Sequence, residues 1–421
     1  MQRIAWTTLV GLALCVQPAV AQNGTLPSWL LPPHHAEGVP DYIAAIASRG
    51  LPPIRIPDAP VATDRFALLH RDERVPDYLA SVRPTNIASI PIPPPPRGEA
   101  PAVVRGVYMN GWVFSSSRFF DLLSLADTTE INAFVIDVKD ATGYITYRSS
   151  VSTAEEIGAN GLVRIRDSRS RLAILEAHGI HPIARIVVAR DPLLAKNKPD
   201  WAIRDSVTGG LWRDGLGDAW VDAFNDSVWG YAADLAAEAV LMGFKEIQFD
   251  YVRFPSGIVG EGSGQLDLSQ EERVAAIASF LEEAKRRITP MGCAMSADVF
   301  GIIVSRPSDQ GIGQRPEDLS PHVDAISPMV YPSHYSDDWL GLADPNEHPY
   351  DVTADAIDNA IPRLAPGTEL RPWLQAFFWT NQQIRRSIQA AEDRDVGWIL
   401  WNSVSNYSRE AIPTDAELAT P

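Results

Sequence analysis

The chain has 421 residues, with 53 Asp and Glu against 36 Lys and Arg and a formal net charge of -17. A surface this acidic repels nucleic acid and anionic membrane, while neutral or cationic partners, uncharged and amino sugars included, remain compatible. Cys15 falls in a leader-like segment and Cys293 is then the sole thiol, so no disulfide is expected within the mature chain and a hydrophobic core must supply the stability.

The first 21 residues read as an export signal: Arg3 provides the positive start, residues 4 to 16 are mostly apolar, and Ala19-Val20-Ala21 forms a small-residue cleavage site. The apolar run is shorter than the ~20 residues that span a bilayer. The expected product is therefore a periplasmic or extracellular protein without an integral span. Residues 22 to 100 form a proline-rich arm, with Pro32-Pro33, Pro52-Pro53 and the run from Pro91 to Pro96 favouring extended chain over packing. Within it Val39-Pro40-Asp41-Tyr42 returns as Val75-Pro76-Asp77-Tyr78, too few copies for a solenoid.

From 101 to 415 short apolar runs alternate with helical periodicity, the pattern of parallel βα units. Eight strands are predicted, at 104–109, 132–138, 181–188, 246–252, 293–299, 324–331, 370–377 and 396–401. The clearest helices fall at 228–242, where Val228, Tyr231, Leu235, Ala239 and Met242 make one stripe, and at 270–288, with Asn225 and Ser269 as caps. Eight strands with intervening helices close most simply as a (β/α)8 TIM-type barrel. A doubly wound open sheet is the rival, but no glycine-rich phosphate turn follows the first strand. The stretch Gly257 to Gly264 lacks the Lys and Ser/Thr of a phosphate loop and reads as a rim loop.

In the run from Glu246 to Pro255, Ile247, Phe249 and Tyr251 share one side, while Gln248 and Asp250 share the other with Val252. In a closed barrel the polar side faces inward, and Asp250 at the carboxyl end sits where barrel enzymes place their chemistry. The alternative for such an acid is a buried, paired group that fixes strand register. The other predicted strand ends add Asp137, Lys139 and Asp140; Arg253; Asp298; Tyr331 and His334; Trp373 and Gln375; Trp401 and Asn402. Acids among Trp and Tyr suit carbohydrate, with rings stacking on sugar faces and polar groups bonding hydroxyls. Glycoside hydrolysis needs two carboxyl groups, about 5 to 5.5 Å apart for retention or roughly 6.5 to 9.5 Å for inversion. Neighbouring strands four and five offer Asp250 and Asp298 as that catalytic pair.

The segments IDVKDATGYITY, HPIARIVVARDPLLA, EIQFDYVRFPS, SADVFG, GIGQRPEDL and ISPMVYPSHY resemble the bacterial glycoside hydrolase-type barrel family long catalogued as a domain of unknown function, from Val103 to Ile412. The resemblance implies a (β/α)8 fold and a glycosidase assignment by similarity to α-amylase-type and α-galactosidase-type barrels, in which the nucleophile ends strand four; that role falls on Asp250. Amylase-type barrels carry a Glu donor on strand five, where this chain has Asp298. The α-galactosidase type carries an Asp on strand six, where this chain has Tyr331 and His334.

Asp137 and Lys139 share strand parity, which points to a buried ion pair or to substrate contact. Asp140 is the reserve proton donor, and Arg185 and Arg253 are expected to pair the acids. Trp398 is expected to face the helices and Trp401 the sugar. No metal ligand set and no cofactor motif is found. The resulting expectation is an exported glycosidase with a retaining mechanism acting on an envelope or extracellular polysaccharide. A barrel that binds carbohydrate without turnover stands beside it.

Overall fold

Strand formation follows the apolar runs, and their termini follow local chemistry. The computed structural model describes residues 100–258, 267–414 and Glu417. The export segment, the arm and residues 259–266 of the glycine-rich stretch lie outside the described residues. The strands are β1 (Arg105–Met109), β2 (Ala133–Lys139), β3 (His181–Val187), β4 (Glu246–Asp250), β5 (Ala294–Phe300), β6 (Ala325–Val330), β7 (Glu369–Leu370), β8 (Trp373–Gln375) and β9 (Trp398–Trp401). Each pairs in parallel with the next around a ring; β7 and β8 occupy one position beside β6, and β9 closes onto β1. The result is the eight-position closed (β/α)8 barrel.

Strands four and seven depart from their predicted extents for identifiable reasons. Strand four stops at Asp250 because Tyr251 turns into left-handed backbone, φ 53°. Strand seven breaks between β7 and β8 at Arg371-Pro372, where proline brings no N–H to the ladder. The two clearest helices form as expected, at Asp226–Met242 and Gln270–Ile288. Asn225 caps the first by accepting from Ser227 N at 2.9 Å, and Ser269 caps the second in a reciprocal box with Glu272.

Alternation sorts the strand residues into two environments. Outward residues such as Phe134, Ile136, Ile247 and Phe249 join the helices in the main core, where the Phe249 and Phe280 rings meet edge to face at 5.1 Å. Trp398 is also in this outer layer, its indole donating to Glu392 at 2.7 Å. Inside the barrel a smaller apolar set, including Val135, Ile183, Trp373 and Ile399, shares space with polar groups. At the amino-terminal end Glu246 takes both its oxygens to Arg371 Nη1, at 2.9 and 2.8 Å, and accepts from Ser296 at 2.6 Å. His181 lies 3.4 Å away. Burial opposes ionisation of Glu246, yet Arg371 and His181 outweigh it and hold the carboxyl well below its usual range.

Candidate functional site

The carboxyl ends of the strands hold a second, more elaborate charged layer. Phe249 pairs with Ala297 in register, so the next residues, Asp250 and Asp298, stand side by side on neighbouring strands and face inward. Adjacent strands lie about 4.8 Å apart.

Asp250 is 4% exposed and well supplied with donors. Arg185 donates to Oδ2 from Nε at 3.0 Å and from Nη2 at 2.5 Å. Tyr251 N donates to Oδ1 at 2.6 Å. Tyr251 itself sits at positive φ, a backbone state costing of order 1–3 kcal/mol for a bulky residue and one that clusters at functional sites. Arg185 also donates to Asp137 Oδ1 at 2.6 Å, so one guanidinium spans two acids. Burial works against its charge, but Asp250 and Asp137 more than compensate and raise its pKa.

Asp298 has the opposite surroundings. It is 1% exposed, Oδ1 accepts from Trp373 Nε1 at 2.7 Å, and Oδ2 has no hydrogen-bond partner among the described residues. Burial, reinforced by the negative charge of Asp250, pushes its carboxyl well above the usual range. Asp137 is also raised by burial, and Tyr108 donates to its Oδ2 at 2.5 Å. Tyr331 is buried beside both Asp298 and Asp250, with its phenol raised first by burial and then by those two acids.

Other predicted site residues take different places. Lys139 and Asp137 do not pair, because a register shift between them turns Lys139 level with outward-facing Ile186. Lys139 Nζ instead meets Asp191 at 2.8 Å and Val187 O at 2.5 Å. Asp140 binds Arg164 at 2.9 Å and closes a turn onto Thr142.

Arg253, expected to pair an acid, stacks instead among Trp220, Tyr251 and Phe300, 4.8, 4.9 and 4.3 Å from their centroids, and donates to Phe254 O. Burial lowers its pKa to about 10. The reason is its place past the left-handed turn at Tyr251, beyond direct bonding to Asp250. Gln375 accepts from Ser333 and donates to Phe377 O, and Asn402 is used structurally, accepting from Val404 N and Asn406 N in its own loop and donating to Ala376 O beyond β8 at 2.7 Å. Trp401 remains at the mouth, 4.2 Å from Tyr108, edge-on to Trp373 at 5.5 Å, with Arg185 over its ring at 5.2 Å. His334 is exposed and packs against Tyr331 and Phe377.

Tyr108 was absent from the sequence expectation, although its parity in RGVYM marks it as inward-facing. Among the described residues no group of three or more His, Cys, Asp or Glu could hold a metal, and no helix is long and apolar enough to cross a membrane.

The chain is a closed parallel (β/α)8 barrel with buried, differently tuned acids at the carboxyl ends of its strands, the end where barrel enzymes place their chemistry. Residues 106–407 match the family described as "Putative glycosyl hydrolase domain", and the chain belongs to that family. Among solved structures, a hypothetical protein from Ruminiclostridium thermocellum is 38% identical over 47% of this chain and 99% of its own, with a TM-score of 0.41. The glycoside hydrolase domain of PelA from Pseudomonas aeruginosa is 13% identical, covering 73% of this chain and 97% of that one, TM-score 0.45. An α-galactosidase from Thermus thermophilus is 15% identical, with coverage of 77% and 63% and a TM-score of 0.49. No curated protein matches the sequence.

Proposed function

We propose that the protein is an exported glycosidase that hydrolyses a polysaccharide with Asp250 as nucleophile and Asp298 as proton donor. The observation that carries this reading is the contrast between two in-register neighbours: Asp250 receives three hydrogen bonds, whereas Asp298 is sealed from water with one free oxygen and a raised pKa. A hydrolytic site needs one acid kept protonated beside one kept as carboxylate, and environments that push two acids apart identify their roles.

In the first step Asp298 gives its proton to the glycosidic oxygen as the C–O bond breaks, and Asp250 Oδ1 bonds the anomeric carbon. Water then attacks that carbon, loses a proton to Asp298 and releases Asp250. Side-by-side placement favours the short carboxyl separation of a retaining enzyme. Trp401 supplies a stacking face, and Tyr331, set beside both acids, supplies a hydroxyl for the sugar or the departing oxygen. Cleavage after Ala21 would leave an arm from 22 to 100 ahead of a catalytic barrel from 101 to 415.

The test is to incubate the purified chain with defined oligosaccharides and follow the first product by proton NMR. Retention of anomeric configuration is the expected result; inversion would remove Asp250 as nucleophile. Saturable binding with no cleavage would favour the second reading, a carbohydrate-binding barrel without turnover. That reading draws on Asp298 standing where amylase-type barrels carry a longer Glu.

A further inference from the structure

Phe378 combines two unfavourable features that the fold itself does not use. Its side chain is 83% exposed, and its backbone sits at φ 57°, a left-handed conformation that phenylalanine avoids. Neither feature reflects a loosely held loop. On one side Gln375 Nε2 donates to Phe377 O at 3.2 Å; on the other Trp379 Nε1 donates to Asn346 Oδ1 at 2.8 Å, and Thr380 begins the next helix in a capping box with Gln383. The chain is pinned on both flanks and presents the ring to solvent between them. A large apolar side chain held in water at a conformational cost points to a ligand.

The ring is also continuous with the acid pair. Tyr331, beside Asp298 and Asp250, meets Phe377 edge to face at 5.6 Å, and Phe377 meets Phe378 in the same way at 5.5 Å. His334 closes the first of these contacts, 5.3 Å from Tyr331 and 6.1 Å from Phe377. An aromatic path therefore climbs from the buried carboxyls to the rim, ending in a fully presented face. Gln375, expected from the sequence to bind substrate, acts within this path by holding the loop that carries it.

We propose that Phe378 is the stacking platform of an outer sugar subsite, which takes a ring of the polysaccharide beyond the residues at Asp250 and Asp298. The proposal rests on the carbohydrate reading of that pair. It makes the site one for extended chains: affinity grows with oligosaccharide length until the chain reaches Phe378. A pyranose presents a face of C–H groups that packs against an aromatic ring, and burying that area contributes on the order of a tenfold gain in affinity.

The experiment is calorimetric titration of the full chain carrying Asp298→Asn, with and without Phe378→Asn, using the disaccharides and hexasaccharides of the malto, cello and chito series. Asparagine accepts left-handed backbone, so the thermal midpoint of the Phe378→Asn chain should be unchanged or raised. Its affinity for the hexasaccharide that binds should fall about tenfold, with disaccharide affinity unchanged. A ring kept for structure alone would give the reverse pattern, lower stability and equal affinity, and would overturn the proposal.

Cleavage of that hexasaccharide by the wild type, combined with equal affinity in both chains, overturns the subsite and leaves the hydrolase reading standing. A length-dependent loss of affinity in a protein whose wild type never cleaves supports the subsite and removes the hydrolase. Binding of no hexasaccharide by the parent overturns both. Self-association that disappears in Phe378→Asn, with sugar affinity intact, assigns the ring to a second copy of the chain and overturns the proposal as well.

Discussion

The Asp298 carboxyl is pushed above the usual range for a physical reason that can be removed one part at a time. Burial disfavours its anion, and the adjacent charge of Asp250 disfavours it further. Carbon-13 NMR of the Asp298 carboxyl should therefore show titration well above the ordinary aspartate range, and Asp250→Asn should move that titration down. The raised pKa also has a definite effect on stability. Between the ordinary aspartate value and the raised native one the folded chain holds more protons than the unfolded chain, so stability falls as pH rises through that window. Asp298→Asn should remove this loss, making the variant more stable than wild type at neutral pH, with the difference vanishing below about pH 4 in thermal unfolding.

Period-two alternation was enough to put Asp250 and Asp298 on the inward side, because both lie on regular strand. It failed for Lys139 because an extra residue in the strand reverses the face of the residues after it, and nothing in IDVKD marks the shift. Arg253 was misread because aromatic faces can hold a guanidinium as carboxylates do, and a sequence does not distinguish them. Phe378 carried no signal: its meaning lies in exposure and φ, both set by the surrounding loop.

At the scale of elements, helix boundaries were legible where capping chemistry is local. Ser269 and Glu272 bond reciprocally, Ser269 N donating to Glu272 Oε2 at 2.8 Å, at the start of a helix with Lys285, Arg286 and Arg287 in its last turn. Ser269→Ala should cost about 0.5–2 kcal/mol in urea unfolding, with no change in any sugar affinity. A larger loss would mean that the cap also holds neighbouring structure. Strand seven was overextended because its apolar pattern runs through Pro372, where the ladder to β6 is interrupted. That break has a use: Arg371, at the interruption, sends its guanidinium across the barrel to Glu246.

Across the whole molecule, two charged layers occupy opposite ends of one barrel. Both oxygens of Glu246 are bonded by Arg371 and one also by Ser296, as befits a structural floor, while the mouth leaves Asp298 Oδ2 unbonded. Because Glu246 is held below its unfolded range, its contribution to stability is present above about pH 4.5 and is lost as pH falls toward the depressed native value. Glu246→Ala leaves the buried Arg371 guanidinium with only the half-exposed Glu369 as partner and should cost up to about 3–5 kcal/mol at pH 7, a penalty that shrinks in acid as the unfolded wild type takes up a proton that the folded chain does not. Urea unfolding at pH 7 and pH 3 checks both halves of that statement.

The barrel was readable in the sequence because eight apolar runs alternate with amphipathic helices, a pattern few other closed folds accommodate. The division of its interior into floor and mouth was not, since it depends on long side chains meeting across the ring. The most direct measurement is the rate of oligosaccharide hydrolysis by wild type, Asp250→Asn and Asp298→Asn on one substrate at one pH. Both variants should be slower by about 10²-fold or more while folding normally. A folded variant of either kind that hydrolyses at the wild-type rate would contradict the assignment of these two acids.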